Sequence, residues 1–120
     1  MLVQVLQAKI RNAIVTGSDP EYKGSITIDE DILDELGVSP WQVCDVNQKG
    51  ESLWGGPGFR GQTYILAGPR GTGCVECNGA LAYHISKGDT VHVNVYCLVS
   101  REAAESHDPI IIESNKSFIK

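Results

Sequence analysis

Glycine and proline interrupt this chain so often that long helices have little room in it. Thirteen glycines and five prolines are spread over 120 residues, and such punctuation favours short strands joined by turns. The hydrophobic pattern agrees. From Leu2 to Val15, Leu2, Leu6, Ala8, Ile10 and Ile14 share one parity, while Gln7, Lys9 and Arg11 share the other. That alternation predicts a long, half-buried strand. Thr16-Gly17-Ser18-Asp19-Pro20 then reads as a turn. Ser25 to Ile28 reads as a short strand. Asp29 as N-cap, Ile32, Leu33 and Leu36 as an apolar face and Gly37 as a stop predict a short helix. Gln42 to Asn47, Gln62 to Ala67, Cys74 to Cys77 and Thr90 to Ser100 read as extended, the last most clearly. Gln48 to Gly61 is glycine-rich and irregular, Asn78-Gly79 is a strong turn pair, and Ala80 to His84 is ambiguous. Arg101 to His107 looks helical, Pro109 to Glu113 looks like a last short strand, and a polar tail follows. Many short strands with few helices suggest a mainly β chain, a single small barrel domain without free edges. Pattern alone does not give its topology.

Composition narrows the function. A net charge of −5 argues against general nucleic-acid binding, which needs basic patches. An anionic substrate would need a local positive site. No apolar run approaches the roughly 18 residues of a membrane span, and the first residues lack a signal-peptide layout. The expected setting is the cytoplasm, with no membrane or nucleic-acid partner and with thiols reduced. Of the four cysteines, Cys74 and Cys77 have a metal-like spacing. A zinc site wants a second ligand pair and a redox motif wants a strand-to-helix start. Buried or half-buried free thiols are the simpler reading, and no metal is expected.

Gly24-Ser25 is the pair with the most chemical potential, although the dipeptide is common and also suits a turn entering a strand. A serine hydroxyl can attack the preceding peptide carbonyl to give an ester. Elimination across Ser25 frees the upstream chain, and the remaining dehydroalanine hydrolyses to a pyruvoyl group. Gly24 tolerates unusual backbone angles. The ketone of a pyruvoyl group forms a Schiff base with an amino acid and takes up the electrons left when carboxylate departs as CO₂. Such a site needs a carboxylate anchor and a proton donor. Arg60 offers a fork of donors, Tyr64 a phenol, and Thr63 a hydroxyl for a carbonyl oxygen. Asn78, with the amides of Gly79, Ala80 and Leu81, forms a turn able to hold charge. Taken singly, each also has a structural reading: a solvated loop charge, a core aromatic, a hairpin.

Together these pieces resemble the pyruvoyl-dependent aspartate 1-decarboxylase family over most of the chain. Leu6-Gln7-Ala8-Lys9-Ile10 is similar to its opening strand. Tyr22-Lys23-Gly24-Ser25-Ile26-Thr27-Ile28-Asp29 is similar to its processing segment, Thr63-Tyr64-Ile65-Leu66 to its central strand, and Arg70-Gly71-Thr72-Gly73 and Asn78-Gly79-Ala80 to two further signatures. The resemblance implies a double-psi β-barrel, a homotetramer, and conversion of L-aspartate to β-alanine and CO₂ for pantothenate and coenzyme A synthesis. It implies self-cleavage between Gly24 and Ser25, into residues 1–24 and 25–120. Ser25 would become the covalent pyruvoyl cofactor, Tyr64 would donate a proton, and Thr63 would assist cleavage and substrate binding. Asn78, Gly79, Ala80 and Leu81 would line the pocket, Lys9 and Arg60 would hold carboxylates, and Tyr22 would shape the cleavage turn. A need for a maturation factor is left open.

Three features depart from the family pattern. Arg11 stands where an imidazole is usual, Leu81 where a small residue is usual, and Leu53 to Phe59 looks inserted. They admit a second substrate of the same chemistry, such as a β-methylated aspartate. An unprocessed barrel acting as a binding module is an alternative of another class, and a metal module on Cys74 and Cys77 is a more distant one.

Overall fold

The computed structural model describes residues 1–50 and 58–120. Residues 53–57 of the apparent insertion lie outside the described residues. Among the described residues eight strands carry the fold: β1 (Leu2–Ile14), β2 (Gly17–Asp19), β3 (Ser25–Asp29), β4 (Val43–Gln48), β5 (Arg60–Gly68), β6 (Val75–Asn78), β7 (Thr90–Ser100) and β8 (Ile110–Glu113). The described residues also form two short α-helices, α1 (Glu30–Leu36) and α2 (Arg101–Ala104), and two 3₁₀ turns, Gly79–Tyr83 and Lys116–Phe118. The chain is therefore mainly β with short helices, as expected.

The strands form one sheet in the order β2-β6-β3-β5-β4-β7-β1-β8. Three pairs are parallel: β1 with β8, β2 with β6 and β3 with β5. The sheet rolls as a small barrel does, yet no ladder among the described residues joins β2 to β8, so it keeps two edges where none was expected. The chain itself bridges part of the gap. Val15 N donates to Asp89 O at 2.9 Å, and Thr16 N donates to Val75 O at 2.8 Å. The link between β1 and β2 thus binds both sides of the roll.

Local chemistry explains the best-formed elements. Helix α1 starts where Asp29 accepts from Asp31 N, and it ends at Gly37 in the left-handed region. Val38 N then closes on Leu33 O at 3.1 Å, while Val38 itself is buried. Ile32, Leu33 and Leu36 face the core, which is built from alternate residues of the strands, including Ile10, Ile26, Ile28, Val46, Ile65, Val75, Val91 and Val93.

Three local expectations change. The parity of β1 breaks: Ala13 and Val15 are buried in place of Ile14. The register slips between Ile10 and Ala13, where Asn12 takes a φ of 51°, so a bulge turns the strand over. Gly17-Ser18-Asp19 pairs with β6 as a strand, because a waiting edge outweighs turn-like composition. The polar tail is tied down. Asn115 is wholly buried; its side chain accepts from Ile14 N at 2.8 Å and donates to Ile14 O at 3.0 Å and Gly73 O at 2.8 Å.

Candidate active site

The register of three neighbouring strands builds the site. In the antiparallel β3/β6 pair, Ser25 lies opposite Asn78. In the parallel β3/β5 pair, Ile26 lies beside Ile65, so Gly24-Ser25 runs alongside Thr63-Tyr64. Three dipeptides far apart in sequence thereby share one end of the sheet. A cavity of about 450 Å³ opens there, and Gly24, Thr63, Tyr64, Asn78, Ala80 and Leu81 all contribute to its lining.

Ser25 is wholly buried. Its hydroxyl donates to Lys23 O at 3.3 Å, the carbonyl before that of Gly24. Gly79 has a φ of +65°, and a Cβ there would meet Gly24 Cα and approach Gly24 N to 2.8 Å. Residue 79 must therefore be glycine on two grounds, conformation and space. A Cβ on Gly24 would meet nothing within 4 Å, so packing leaves the Gly24 backbone open on that side. Asn78 is buried and its amide donates to Thr27 Oγ1 at 3.3 Å. It lines the main cavity and also a smaller one of about 150 Å³, which it shares with Asp19, Tyr22, Thr27 and Glu76. Tyr22, half exposed, belongs to that second space. The Tyr64 ring stacks on Trp41, with centroids 5.6 Å apart and planes 17° apart.

Two expected residues sit elsewhere. Lys9 pairs with Asn94, Asn94 with Asp45, and Arg60 with Asn47. These residues lie on the outer face of the sheet, since Ala8, Ile10, Val46 and Val93 of the same strands are buried in the core. Arg60 lies 3.9 Å from Asp45, with its side chain mostly exposed. On that face His92 accepts from Asn12 N at 3.1 Å. Partial burial first, and then Lys9, Lys49 and Arg11, lower its pKa. Neither Lys9 nor Arg60 lines the cavity.

The cavity has lining residues that no sequence signal marked. Phe59 and His84 stack almost in parallel, with centroids 4.2 Å and planes 4° apart, and Gly61 and Gln62 lie beside them. Phe59 and His84 are 25 positions apart with no shared period, so only the fold brings them together. The cysteines are free, and Cys44, Cys74 and Cys77 are buried. Burial first pushes the Cys44 and Cys77 thiols up to about 12. Such thiols suit packing and not catalysis. Among the described residues, no group of three or more His, Cys, Asp or Glu is placed to hold a metal.

The family model for aspartate decarboxylase matches residues 1–118. The chain belongs to the aspartate decarboxylase family. It is 39% identical to the aspartate 1-decarboxylase of Hyphomonas neptunium over 113 residues, covering 93% of this chain and 90% of that one. It is 35% identical to the enzyme of that name from Caldicellulosiruptor saccharolyticus, covering 100% and 91%. It is 42% identical to the one from Anoxybacillus flavithermus, covering 92% and 83%. The family match extends across all three dipeptides around the cavity.

Proposed function

We propose that this chain is an aspartate 1-decarboxylase, an enzyme that converts L-aspartate to β-alanine and CO₂ and cuts itself between Gly24 and Ser25. The observation that carries this reading is that Gly24, Thr63, Tyr64 and Asn78 line one cavity, with Ser25 next to Gly24 in the chain and paired with Asn78. The residues fit a pyruvoyl group at position 25. Ser25 is buried at a strand start beside that cavity, and Gly79 leaves the Gly24 backbone room. When formed, the group supplies the electron sink for decarboxylation.

The chain's own residues do the rest. Self-cleavage starts when the Ser25 hydroxyl leaves its bond to Lys23 O and attacks the Gly24 carbonyl carbon. Thr63, alongside Gly24, donates to the carbonyl oxygen as charge builds there. Tyr64 returns a proton to carbon after CO₂ leaves, and its stack on Trp41 fixes the phenol's direction. Asn78, Ala80 and Leu81 wall the substrate in, and Tyr22 braces the cleavage turn from the smaller space.

Lys9 and Arg60 retain a part as carboxylate holders through assembly. They lie on the outer sheet face, where Asn47 and Asn94 each bury an amide oxygen without a donor among the described residues. In a homotetramer that face would meet a neighbouring copy and present both cations to its cavity. The product would feed pantothenate and coenzyme A synthesis in the cytoplasm.

Intact mass under denaturing conditions tests the core of this reading. Two fragments are expected, residues 1–24 and residues 25–120 with a ketone in place of the Ser25 amine. A single unmodified chain that persists through warm incubation, alone and with extract of the source cells, would overturn it.

A further inference from the structure

The outer face of the sheet carries two polar rows. Arg60, Asn47 and His92 stand opposite one another across β5, β4 and β7, and Gln62, Asp45, Asn94 and Lys9 do so across β5, β4, β7 and β1. Gln62 also lines the cavity, so the face and the cavity share an edge. His92 is half-buried, two positions before Asn94, the cross-strand partner of Lys9. Asn12 N, in the bulge of β1, donates to His92 Nδ1 at 3.1 Å. That bond fixes the ring and leaves its single proton on Nε2. It is the ring's one hydrogen bond among the described residues. The charge around the ring is unbalanced. Lys9, Arg11, Lys49 and Arg60 are four of the chain's ten lysines and arginines, and two carboxylates are paired with them: Glu113, 3.7 Å from Arg11, and Asp45, 3.9 Å from Arg60. Lys49 Nζ donates to the neutral Asn12 amide at 2.9 Å, and Lys9 has no ion pair among the described residues. Partial burial, then Lys9, Lys49 and Arg11, favour the neutral imidazole. A directed N–H among uncompensated cations, in a chain of net charge −5, is a local place for an anion.

We propose that His92 is a third donor, with Lys9 and Arg60, to a carboxylate of the substrate. This rests on reading that face as a carboxylate subsite completed by assembly. The two cations bring charge and the imidazole brings direction. Lysine carries its donors on a flexible stem, whereas the ring held by Asn12 aims one N–H along one line, and a bond from it to a carboxylate is charge-assisted. His92 thereby sets where the carboxylate sits between the cations.

Two variants divide the ring's two roles. In His92→Asn the shorter side chain can still accept from Asn12 N but has no donor where Nε2 was. In His92→Gln an amide donor reaches about that position. KM and kcat for L-aspartate are measured in the wild type and both variants, with intact mass, melting curves and sedimentation to confirm processing, folding and assembly. His92→Asn should raise KM about ten-fold, with kcat changed far less. His92→Gln should recover part of that loss. Wild-type KM in His92→Asn would make the ring a cap for the bulge and nothing more, and would overturn the proposal. So would a KM in His92→Gln no better than in His92→Asn. A second readout separates these outcomes from failure of the decarboxylase reading. The chain has three histidines, so histidine-selective NMR resolves three imidazoles, and the signal lost in either variant is that of His92. Succinate, a dicarboxylate without an amine, should shift that signal in the wild type whether or not intact mass shows a cut chain. No shift at saturating succinate would overturn the contact itself.

Discussion

Strand β3 is held at its two ends by very different amounts of bonding. At its C-terminal end Asp29 is wholly buried. One carboxylate oxygen caps α1 through Asp31 N at 2.8 Å, and the other accepts from Gly73 N at 2.7 Å. Gly73 O in turn accepts from Asn115, and a Cβ on Gly73 would collide with the backbone of Ile119. Helix, turn and chain end are locked together there. At the N-terminal end Gly24 is exposed, and beyond the strand pairing of Ser25 with Asn78 the Ser25 side chain makes one hydrogen bond, at 3.3 Å to Lys23 O. A segment that must rearrange its own backbone needs few bonds to break, and a frame that must stay put needs many. The contrast places stability at one end of a five-residue strand and reactivity at the other.

The largest expected effects test that division directly. Ser25→Ala should abolish self-cleavage and turnover altogether, because no ester can form. It should alter stability by no more than about 1 kcal/mol, the worth of one ordinary hydrogen bond. Intact mass and chemical denaturation together read both. A protein that still cuts, or one that loses most of its stability, would erase the contrast. Asp29→Ala should do the reverse. It removes a helix cap and leaves the buried Gly73 N–H without its acceptor, costing about 3 kcal/mol in total. Processing should persist at temperatures where the variant remains folded.

How much of this was legible in the sequence follows the same line. The cap at Asp29 and the stop at Gly37 were readable because helix ends are settled by residues a few positions apart. The N-terminal end was visible only through resemblance, since Gly24-Ser25 becomes a site by what lies across from it. Asn78 and Tyr64 come from other strands, and no local pattern links them to residue 25. The bulge at Asn12, the pairing of Gly17–Asp19 with β6 and the burial of Asn115 escaped notice for that reason too: each depends on a partner at least 59 positions away. Lys9 and Arg60 differ, because alternation along β1 and β5 is local and puts them on the outer face.

The middle of β3 supplies a third reading. Cys77 sits opposite Ile26 in the dry interior, and Cys44 sits opposite Thr63. Both thiols are pushed up to about 12 from an ordinary value near 9.0, chiefly by burial. Below pH 9 both folded and unfolded chains keep these protons. Above it the unfolded chain loses them while the folded chain does not, so stability falls as pH rises from 9 towards 12. The slope should be about 1.4 kcal/mol per pH unit for each thiol. Denaturation midpoints between pH 8 and 11 check the sign. At pH 8 a thiol reagent should label half-exposed Cys97 first, with Cys44 and Cys77 reacting only after unfolding. Early labelling of Cys77 would mean that the loosely held end of β3 opens far enough to wet its centre.

The smallest effect is expected at Arg70, although it makes the densest set of ion pairs on the molecule's described surface. Its guanidinium lies 2.7 Å from Glu30, 2.8 Å from Asp31 and 2.7 Å from Asp34, and these hydrogen bonds raise its pKa, the one to Asp34 most. The position resembles a scaffold device: one cation ties the turn before Gly73 to three carboxylates of α1, next to the Asp29 lock. Yet the side chain is 51% exposed, and water screens such pairs strongly. Glu30 and Asp31 in the first turn of α1 are already favoured there by the helix dipole, so losing the arginine strands no buried charge. Arg70→Ala should therefore lower Tm by only a few degrees, with the loss shrinking in about 1 M salt, and leave cleavage untouched. A loss as large as that of Asp29→Ala would mean that the well-bonded end of β3 is held from its surface. The buried carboxylate would then be following the salt bridges instead of leading them.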